Sequence, residues 1–210
     1  MGTGLQVPVS IGSEGDSMII TIGREYGSGG HEIGQKLSKR YQIPFYDKDA
    51  LIKEAKERGF YDEIISFYEE KPVNSFLYAL AMNTYSDHIG KMQFDLIRSI
   101  IKEESCILIG RCGNYIFQER ADAVSIFTHA DIEKRVERVR DVYGVKEKNL
   151  KDVILKTDKS RAYFHKFYTE QEWGDSRNYD LAINSGAIGI DASVALIEEY
   201  IKRKGISEAH

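Results

Sequence analysis

A glycine-rich segment carries the clearest chemistry in the sequence. Residues 23–31 read Gly-Arg-Glu-Tyr-Gly-Ser-Gly-Gly-His, after a short apolar run and before a helical pattern. Between a strand and a helix, such a turn points backbone N–H groups at phosphate oxygens, and the helix adds the positive end of its dipole. Glycine also serves plain turns, which is the alternative. The phosphate-binding residues we predict are Gly23, Arg24, Glu25, Tyr26, Gly27, Ser28, Gly29, Gly30 and His31.

This loop departs from the standard P-loop at two side chains. That motif ends in Gly, Lys and then Ser or Thr, where Lys reaches the β- and γ-phosphates and the hydroxyl holds Mg²⁺. Gly30 and His31 stand at those positions here, in a loop one residue longer. The backbone cradle is therefore kept while both side-chain contributions are lost. Arg24 could supply the missing positive charge, or it could face solvent.

Apolar runs and helical patterns alternate from Met18 onward. The runs predict strands near residues 18–22, 43–46, 106–109, 123–127 and 181–183. Strands that are nearly unbroken in apolar character are typical of a parallel sheet covered on both faces. The alternation predicts a doubly wound α/β fold, which binds ligands at the carboxyl ends of its strands.

The helical patterns cover residues 31–41, 49–58, 91–103, 131–143 and 192–204. Two long stretches, residues 60–90 and 141–178, do not fit the alternation. Long insertions in compact domains often act as lids, and packed helical extensions are the alternative. We expect one domain over residues 18–204, a mobile leader over residues 1–17 and a short tail over residues 205–210.

Four pieces of sequence, taken as a set, resemble the cytidylate kinase-like proteins, a branch of the P-loop nucleoside monophosphate kinases. They are residues 19–30, Phe45-Tyr46-Asp47, Ile109-Gly110-Arg111 and Tyr179-Asp180-Leu181. The resemblance implies a P-loop kinase-like three-layer sandwich with a five-stranded parallel sheet. It also implies ATP and Mg²⁺ as cofactors, small-molecule nucleotides as partners, and phosphoryl transfer to a nucleoside monophosphate, CMP or dCMP. The insertion at about 60–90 would hold the acceptor, and the helical lid at about 141–178 would close over ATP.

The same resemblance assigns roles to arginines. Arg111 is placed to hold the acceptor phosphate, with a surface salt bridge as the alternative, and an arginine fork suits phosphate geometry. Arg161 lies in the predicted lid, where it would neutralise charge during transfer. With Arg24, these two are the candidate catalytic residues. Arg135 and Arg138 share a helix face and are candidates for substrate binding; a solvated face with pairs such as Asp131–Arg135 is the alternative.

Acidic residues are harder to assign. Asp47 and Asp49 follow the second predicted strand, where they could contact the acceptor or the Mg²⁺ shell, or cap the next helix. The family places an acid before Gly-Arg, whereas Ile109 stands there in this chain. The metal ligands are thus unknown from sequence, with Glu25 or Asp180 able to compensate. Asn184-Ser185 resembles an adenine-side turn or simply ends a strand.

Composition limits the remaining possibilities. The net charge of −4 argues against a broad electrostatic surface for nucleic acid. No apolar run approaches the roughly 20 residues of a membrane span, so we expect no membrane partner and a cytoplasmic protein. The sequence leaves homo-oligomer formation open. Two other functions also stay open, namely a nucleotide-binding regulatory module with little catalysis and a kinase of another small acceptor.

Overall fold

The computed structural model describes residues 17–68, 86–101 and 104–206. The predicted leader, apart from Ser17, lies outside the described residues, as do residues 69–85 of the predicted acceptor insertion. The described helices lack the combination of length and apolar character that spanning a bilayer requires.

Five parallel strands form one sheet, as predicted. The strands are β1 (Ile19–Arg24), β2 (Phe45–Tyr46), β3 (Cys106–Ile109), β4 (Ala123–His129) and β5 (Leu181–Asn184). Their order across the sheet is β2-β3-β1-β4-β5, so β1 lies at the centre between β3 and β4. The register pairs Ile22 with Ile109 on one side and with Ile126 on the other. The carboxyl ends of β1 and β3 therefore lie side by side.

Helices cover both faces of this sheet. They are α1 (Gly30–Tyr41), α2 (Lys48–Glu57), α3 (Tyr61–Tyr68), α4 (Ser86–Ile101), α5 (Gly113–Ile116), α6 (Ile132–Asp141), α7 (Leu150–Thr169), α8 (Ser185–Ile188) and α9 (Ile190–Lys204). A short 3₁₀ helix spans Ser176–Asn178. The single long helix α7 occupies much of the stretch predicted as a lid.

Alternate residues along the strands pack into two separate hydrophobic cores, one on each face of the sheet. Ile20 and Ile22 of β1 pack with α1 and α9 on one face, while Ile19 packs with α2, α4 and α5 on the other. Because β1 is buried on both faces, its apolar run is unbroken except at Thr21. A third, smaller cluster of Val139, Leu150 and Ile154 joins α6 to α7 and so positions α7, which lies in the stretch predicted as a lid.

Gly34 illustrates how closely α1 lies on the sheet. A Cβ atom at this position would stand 2.6 Å from Ile109 Cδ1 and 2.9 Å from a ring carbon of Phe45. We predict that Gly34→Ala lowers the free energy of unfolding by about 1–3 kcal/mol, because overpacking outweighs the gain in helix propensity. Urea unfolding measures the change.

The matched control for this prediction is Gln35→Ala, at an exposed position one residue further along α1. It should leave the free energy of unfolding within about 0.5 kcal/mol of the parent value. Equal stability of the two variants would contradict the packing of α1 described above.

Candidate active site

The phosphate loop runs from the end of β1 at Arg24 to the start of α1 at Gly30. Gly27 and Gly29 adopt φ angles of 86° and 84°, which glycine reaches without strain. No side chain caps the amino end of α1, so its first-turn N–H groups remain available to an anion. Ser185 Oγ donates to the Ser28 carbonyl at 2.6 Å and ties the loop to the end of β5.

Gly30 stands at the lysine position of a standard P-loop, and the fold leaves no room for a side chain there. A Cβ atom on Gly30 would lie 2.5 Å from Thr128 Oγ1 and 2.6 Å from Arg24 Cβ. The Arg24 side chain instead crosses from the loop to the end of β3, where a Cβ atom on Gly110 would overlap its guanidinium. Arg24 is partly buried, so the solvent-facing alternative is wrong. A guanidinium thus approaches the region that lysine normally serves.

The chain leaves β3 in an unusual backbone conformation. Gly110, Arg111 and Cys112 have φ angles of 74°, 52° and 58°, so three consecutive residues are left-handed. Each non-glycine residue in this region costs about 1–2 kcal/mol, and strain of this kind clusters at functional sites. The turn brings the Arg111 guanidinium over the Phe164 ring, with 4.9 Å between the guanidinium carbon and the ring centroid.

The Cys112 side chain at this turn is buried. Burial raises the pKa of its thiol far above the ordinary value. The thiol therefore stays protonated and packs as a small apolar group.

A cavity of about 420 Å³ opens between the ends of β1 and β3 and the side of α7. We call it the cation cavity, because the charged side chains among its described lining residues are all basic. They are Arg24, Lys48, Arg111, Lys156 and Arg161. The three arginines predicted to be catalytic therefore meet in one place. Such a lining attracts an anion and disfavours a cation.

Helix α7 is docked on the phosphate loop through two side chains. Asp158 accepts a hydrogen bond from the Tyr26 N–H at 2.7 Å and a second one from the Arg135 guanidinium. Arg161 donates to the Arg24 carbonyl at 3.1 Å and lies over the Tyr26 ring. Helix α7 therefore packs on the loop, and Arg161 is among the residues that line the cation cavity.

Arg135 and Arg138 do not line the cation cavity. Arg135 has a side chain only 7% exposed, held between Asp158 and Glu25. The alternative of a solvated face is wrong for Arg135, because its partners come from α7 and the phosphate loop and bury the guanidinium. Arg138 pairs with Glu32 and lies against Gly29, on the other side of the loop. Their predicted contact with substrate stays a prediction.

The predicted acidic residues have local partners. Asp47 accepts from the Ala50 N–H at 3.0 Å and so caps α2, which confirms the capping alternative. Its second oxygen contacts His31 Nε2 at 3.0 Å. Burial would raise the pKa of Asp47, but these two hydrogen bonds hold it below the usual value. Asp49 is exposed in the first turn of α2.

The sequence offered Asp180 as a replacement for the missing metal-binding acid, and the fold rules it out. Asp180 precedes β5 and accepts hydrogen bonds from Ser125 and Lys204. It therefore lies at the amino edge of a parallel sheet whose carboxyl edge holds the phosphate loop. Glu25 does lie at the loop, but it accepts from the Ala130 N–H at 3.0 Å.

The described residues do not form a protein-held Mg²⁺ site. Among them, no group of three or more histidine, cysteine or acidic side chains is arranged to hold a metal ion. Glu25, Asp47 and Asp158, the acids around the loop, already accept hydrogen bonds. Mg²⁺ in kinase sites is largely held by substrate phosphates and water. The described residues here do not provide a further set of protein ligands for the ion.

A second cleft of about 300 Å³ lies on the opposite side of the phosphate loop. Gly27, Ser28, Arg138, Ser185 and Gly186 line it together with α6. Asn184 caps α8 by accepting from the Ala187 N–H at 3.1 Å. The turn predicted to face adenine is therefore a helix start at the edge of this cleft.

Sequence reasoning missed Asp158 and His165 on α7. Both share a face with Arg161, three residues after Asp158 and four before His165, so helical spacing alone places them together. His165 lines the cation cavity, is 3% exposed and has an Nε2 atom with no hydrogen-bond partner. Burial lowers its pKa to about 4, so the ring is neutral near pH 7.

The aromatic side chains of residues 163–173 pack mainly on other aromatic rings. Phe164 and Tyr168 have ring centroids 4.6 Å apart, and Tyr168 also meets Phe167 at 5.0 Å. Trp173 packs edge-on against Phe127. Core packing therefore accounts for these rings, although Phe164 and Trp173 also line the cation cavity.

This chain is similar to known proteins in sequence and in fold. The model of the cytidylate kinase-like family matches residues 19–187. A crystal structure of an uncharacterized protein from Eubacterium ventriosum shares 35% identity, with a TM-score of 0.69 over 89% of this chain and 99% of that one. Shikimate kinase from Bacteroides thetaiotaomicron shares 15% identity, with a TM-score of 0.51 over 88% of this chain and 98% of that one, and so matches in fold alone. No curated protein sequence is significantly similar to this chain.

The buried His165 should leave a signature in the pH dependence of stability. Its pKa of about 4 in the folded chain lies below the unfolded value of about 6.5. Between these values the unfolded chain binds more protons, so stability falls as pH is lowered from about 6.5 to about 4, by at most about 3 kcal/mol.

His165→Gln should remove that component and flatten the curve in the same pH window. Urea unfolding of both proteins between pH 4 and 7 measures the difference. Parallel curves for the two proteins would show that His165 titrates alike in the folded and unfolded chains.

Proposed function

Because this chain belongs to the cytidylate kinase-like family, we propose that it transfers the γ-phosphoryl group of ATP to the phosphate of a nucleoside monophosphate, with CMP and dCMP as the expected acceptors. The observation that carries the proposal is the cation cavity beside the phosphate loop. Among its described lining residues, five are basic and none is acidic. Phosphoryl transfer depends mainly on positioning and charge neutralisation, and this lining supplies both.

In this proposal the donor nucleoside and the acceptor phosphate bind on opposite sides of the phosphate loop. Loop N–H groups and the first turn of α1 bind the donor phosphates, and the cleft beside Arg138 and Ser185 accepts the donor nucleoside. Arg111 holds the acceptor phosphate in the cation cavity. Arg24 and Arg161 line the same cavity as Arg111 and neutralise the charge that spreads over the transferred group.

The lining favours a phosphate acceptor over a hydroxyl acceptor. A hydroxyl group benefits from a base that takes its proton, and a base works best when its pKa lies near the working pH. The described lining holds no carboxylate, and His165, with a pKa of about 4, is a weak base. A phosphate monoester is already ionised near pH 7, so its oxygen attacks in line without such help.

A second candidate function is nucleotide binding with little transfer. The packing at Gly30 supports it, because the lysine position cannot hold a side chain. This candidate shares the phosphate loop with the kinase proposal and differs from it in acceptor-dependent turnover.

ADP release from Mg-ATP tests the proposal. The acceptors are CMP, dCMP, UMP, AMP, GMP, shikimate, gluconate and none, with ATP binding measured in parallel by calorimetry. The proposal expects release that depends on a nucleoside monophosphate. Binding of ATP without acceptor-dependent release would favour the binding module, and release with shikimate or gluconate alone would overturn the phosphate acceptor.

Arg111→Ala and Arg24→Ala should each lower acceptor-dependent turnover at least roughly 100-fold, because each removes a charged donor from the transferring phosphates. Arg203→Ala is the matched control, since Arg203 is exposed on α9 and its ion pair within the described part of the chain is with Glu199. The control should keep parental turnover. Retention of turnover in both site variants, with unchanged melting temperatures, would contradict the assigned roles.

A further inference from the structure

A side-chain hydrogen bond links the phosphate loop to the segment that leads into the cation cavity. His31 is the second residue of α1, directly after the loop, and its Nε2 atom lies 3.0 Å from Asp47 Oδ2. Asp47 lies between β2 and α2. The contact therefore joins the first turn of α1 to the turn that follows the neighbouring strand, at the carboxyl edge of the sheet.

His31 donates this hydrogen bond and Asp47 accepts it. Burial would raise the pKa of Asp47, but its hydrogen bonds with the Ala50 N–H and with His31 hold that pKa below the usual value. The carboxyl group is therefore ionised near pH 7 and can only accept hydrogen bonds. The Nε2 atom of His31 consequently carries the hydrogen of this bond.

Strand β2 contacts the same part of α1 at two further points. The rings of His31 and Phe45 have centroids 5.0 Å apart and meet edge-on, at an angle of 88°. Three residues further along α1, a Cβ atom on Gly34 would lie 2.9 Å from a ring carbon of Phe45. The His31 ring is thus held between the end of β2 and the start of α2.

Asp47 also determines where α2 begins. Its Oδ1 atom accepts from the Ala50 N–H at 3.0 Å, and its carbonyl accepts from the Leu51 N–H at 3.0 Å. Lys48, the next residue, is the first residue of α2 and lines the cation cavity. The two oxygens of one carboxylate therefore contact the first turn of α1 and the first turn of α2.

We propose that the His31–Asp47 hydrogen bond couples donor binding at the phosphate loop to acceptor binding in the cation cavity, with His31 as a positioning residue for the start of α2. The inference rests on the proposed function, which places the donor phosphates on the first turn of α1 and the acceptor phosphate in the cation cavity. Donor phosphates that bind the first-turn N–H groups order that turn and the His31 ring with it. Asp47 and Lys48 are then already ordered when the acceptor arrives, so acceptor binding costs less conformational entropy.

The exposure of the pair suits this role. The side chains of His31 and Asp47 are 44% and 28% exposed, so water competes for their hydrogen bond when no ligand is bound. A fully buried pair would be formed in every state of the protein and could not respond to a ligand. Because coupling between two sites is reciprocal, the acceptor should tighten donor binding by the same factor.

Calorimetry with a non-hydrolysable ATP analogue, Mg²⁺ and CMP measures the coupling without any need for turnover. In the parent chain, saturating analogue should lower the Kd of CMP at least roughly 5-fold. His31→Leu cannot donate to Asp47 and should reduce this factor to about 2-fold or less, whereas His31→Gln still carries an N–H donor and should retain most of it. Lys36→Gln is the matched control, since Lys36 is also on α1 but pairs with Asp191 of α9, and it should keep the parental factor.

Amide hydrogen exchange at Ala50 separates a positioning role from a general effect on stability. The analogue alone should slow exchange of the Ala50 N–H in the parent chain and in His31→Gln, but not in His31→Leu. A lower melting temperature for His31→Leu, with the coupling factor and the exchange response unchanged, would show a merely structural contact and overturn the proposal. A parent chain that binds CMP equally well with and without the analogue, or that does not bind CMP, would overturn it as well.

Failure of the coupling and failure of the kinase proposal give different results. Tighter CMP binding in the presence of the analogue, lost in His31→Leu and without ADP release from ATP, supports the coupling and overturns phosphoryl transfer. ADP release that depends on CMP, with a KM for CMP that His31→Leu leaves unchanged at saturating ATP, supports transfer and overturns the coupling.

Discussion

The close packing of Arg24 against Gly30 and Gly110 is the contact on which the rest of the site depends. Arg24 ends the central strand, so its position is set by register with β4, where it pairs with Thr128. Because Thr128 Oγ1 and Arg24 Cβ fill the space beside Gly30, the first residue of α1 carries no side chain. Because Gly110, directly after β3, has no side chain, the Arg24 guanidinium fits beside it. We propose that this arginine, carried by a strand, serves the donor phosphates in place of a lysine carried by the helix.

The position of helix α7 depends on that same loop. Asp158 of α7 holds the Tyr26 N–H and the buried Arg135 guanidinium, and Arg161 one turn later holds the Arg24 carbonyl. A buried arginine is tolerable only when acids compensate it, and removal of one partner of such a pair is costly. The ion pairs therefore couple the position of α6 and α7 to the phosphate loop. In this arrangement Arg161 of α7 and Arg24 of β1 line one cavity.

Much of this structure could be predicted from the sequence, because local patterns determine it. The apolar runs of the strands mark burial on both faces, and the glycines at 27, 29 and 30 mark the loop. The partners of Arg135 could not be predicted, since Glu25 and Asp158 lie 110 and 23 residues away along the chain and meet it only in the fold. Asp180 was misplaced although it directly precedes the strand predicted over residues 181–183, and a residue before a parallel strand lies at the amino edge of the sheet, away from the phosphate loop.

The central claim is that the Arg24 guanidinium replaces the P-loop lysine and that the fold excludes a side chain at position 30. Gly30→Lys tests it most directly, because it restores the residue of the standard motif. The account predicts a lower melting temperature, weaker ATP binding by calorimetry and no gain in ADP release, since the new side chain would meet Thr128 and Arg24. Tighter ATP binding with faster ADP release in Gly30→Lys would contradict it.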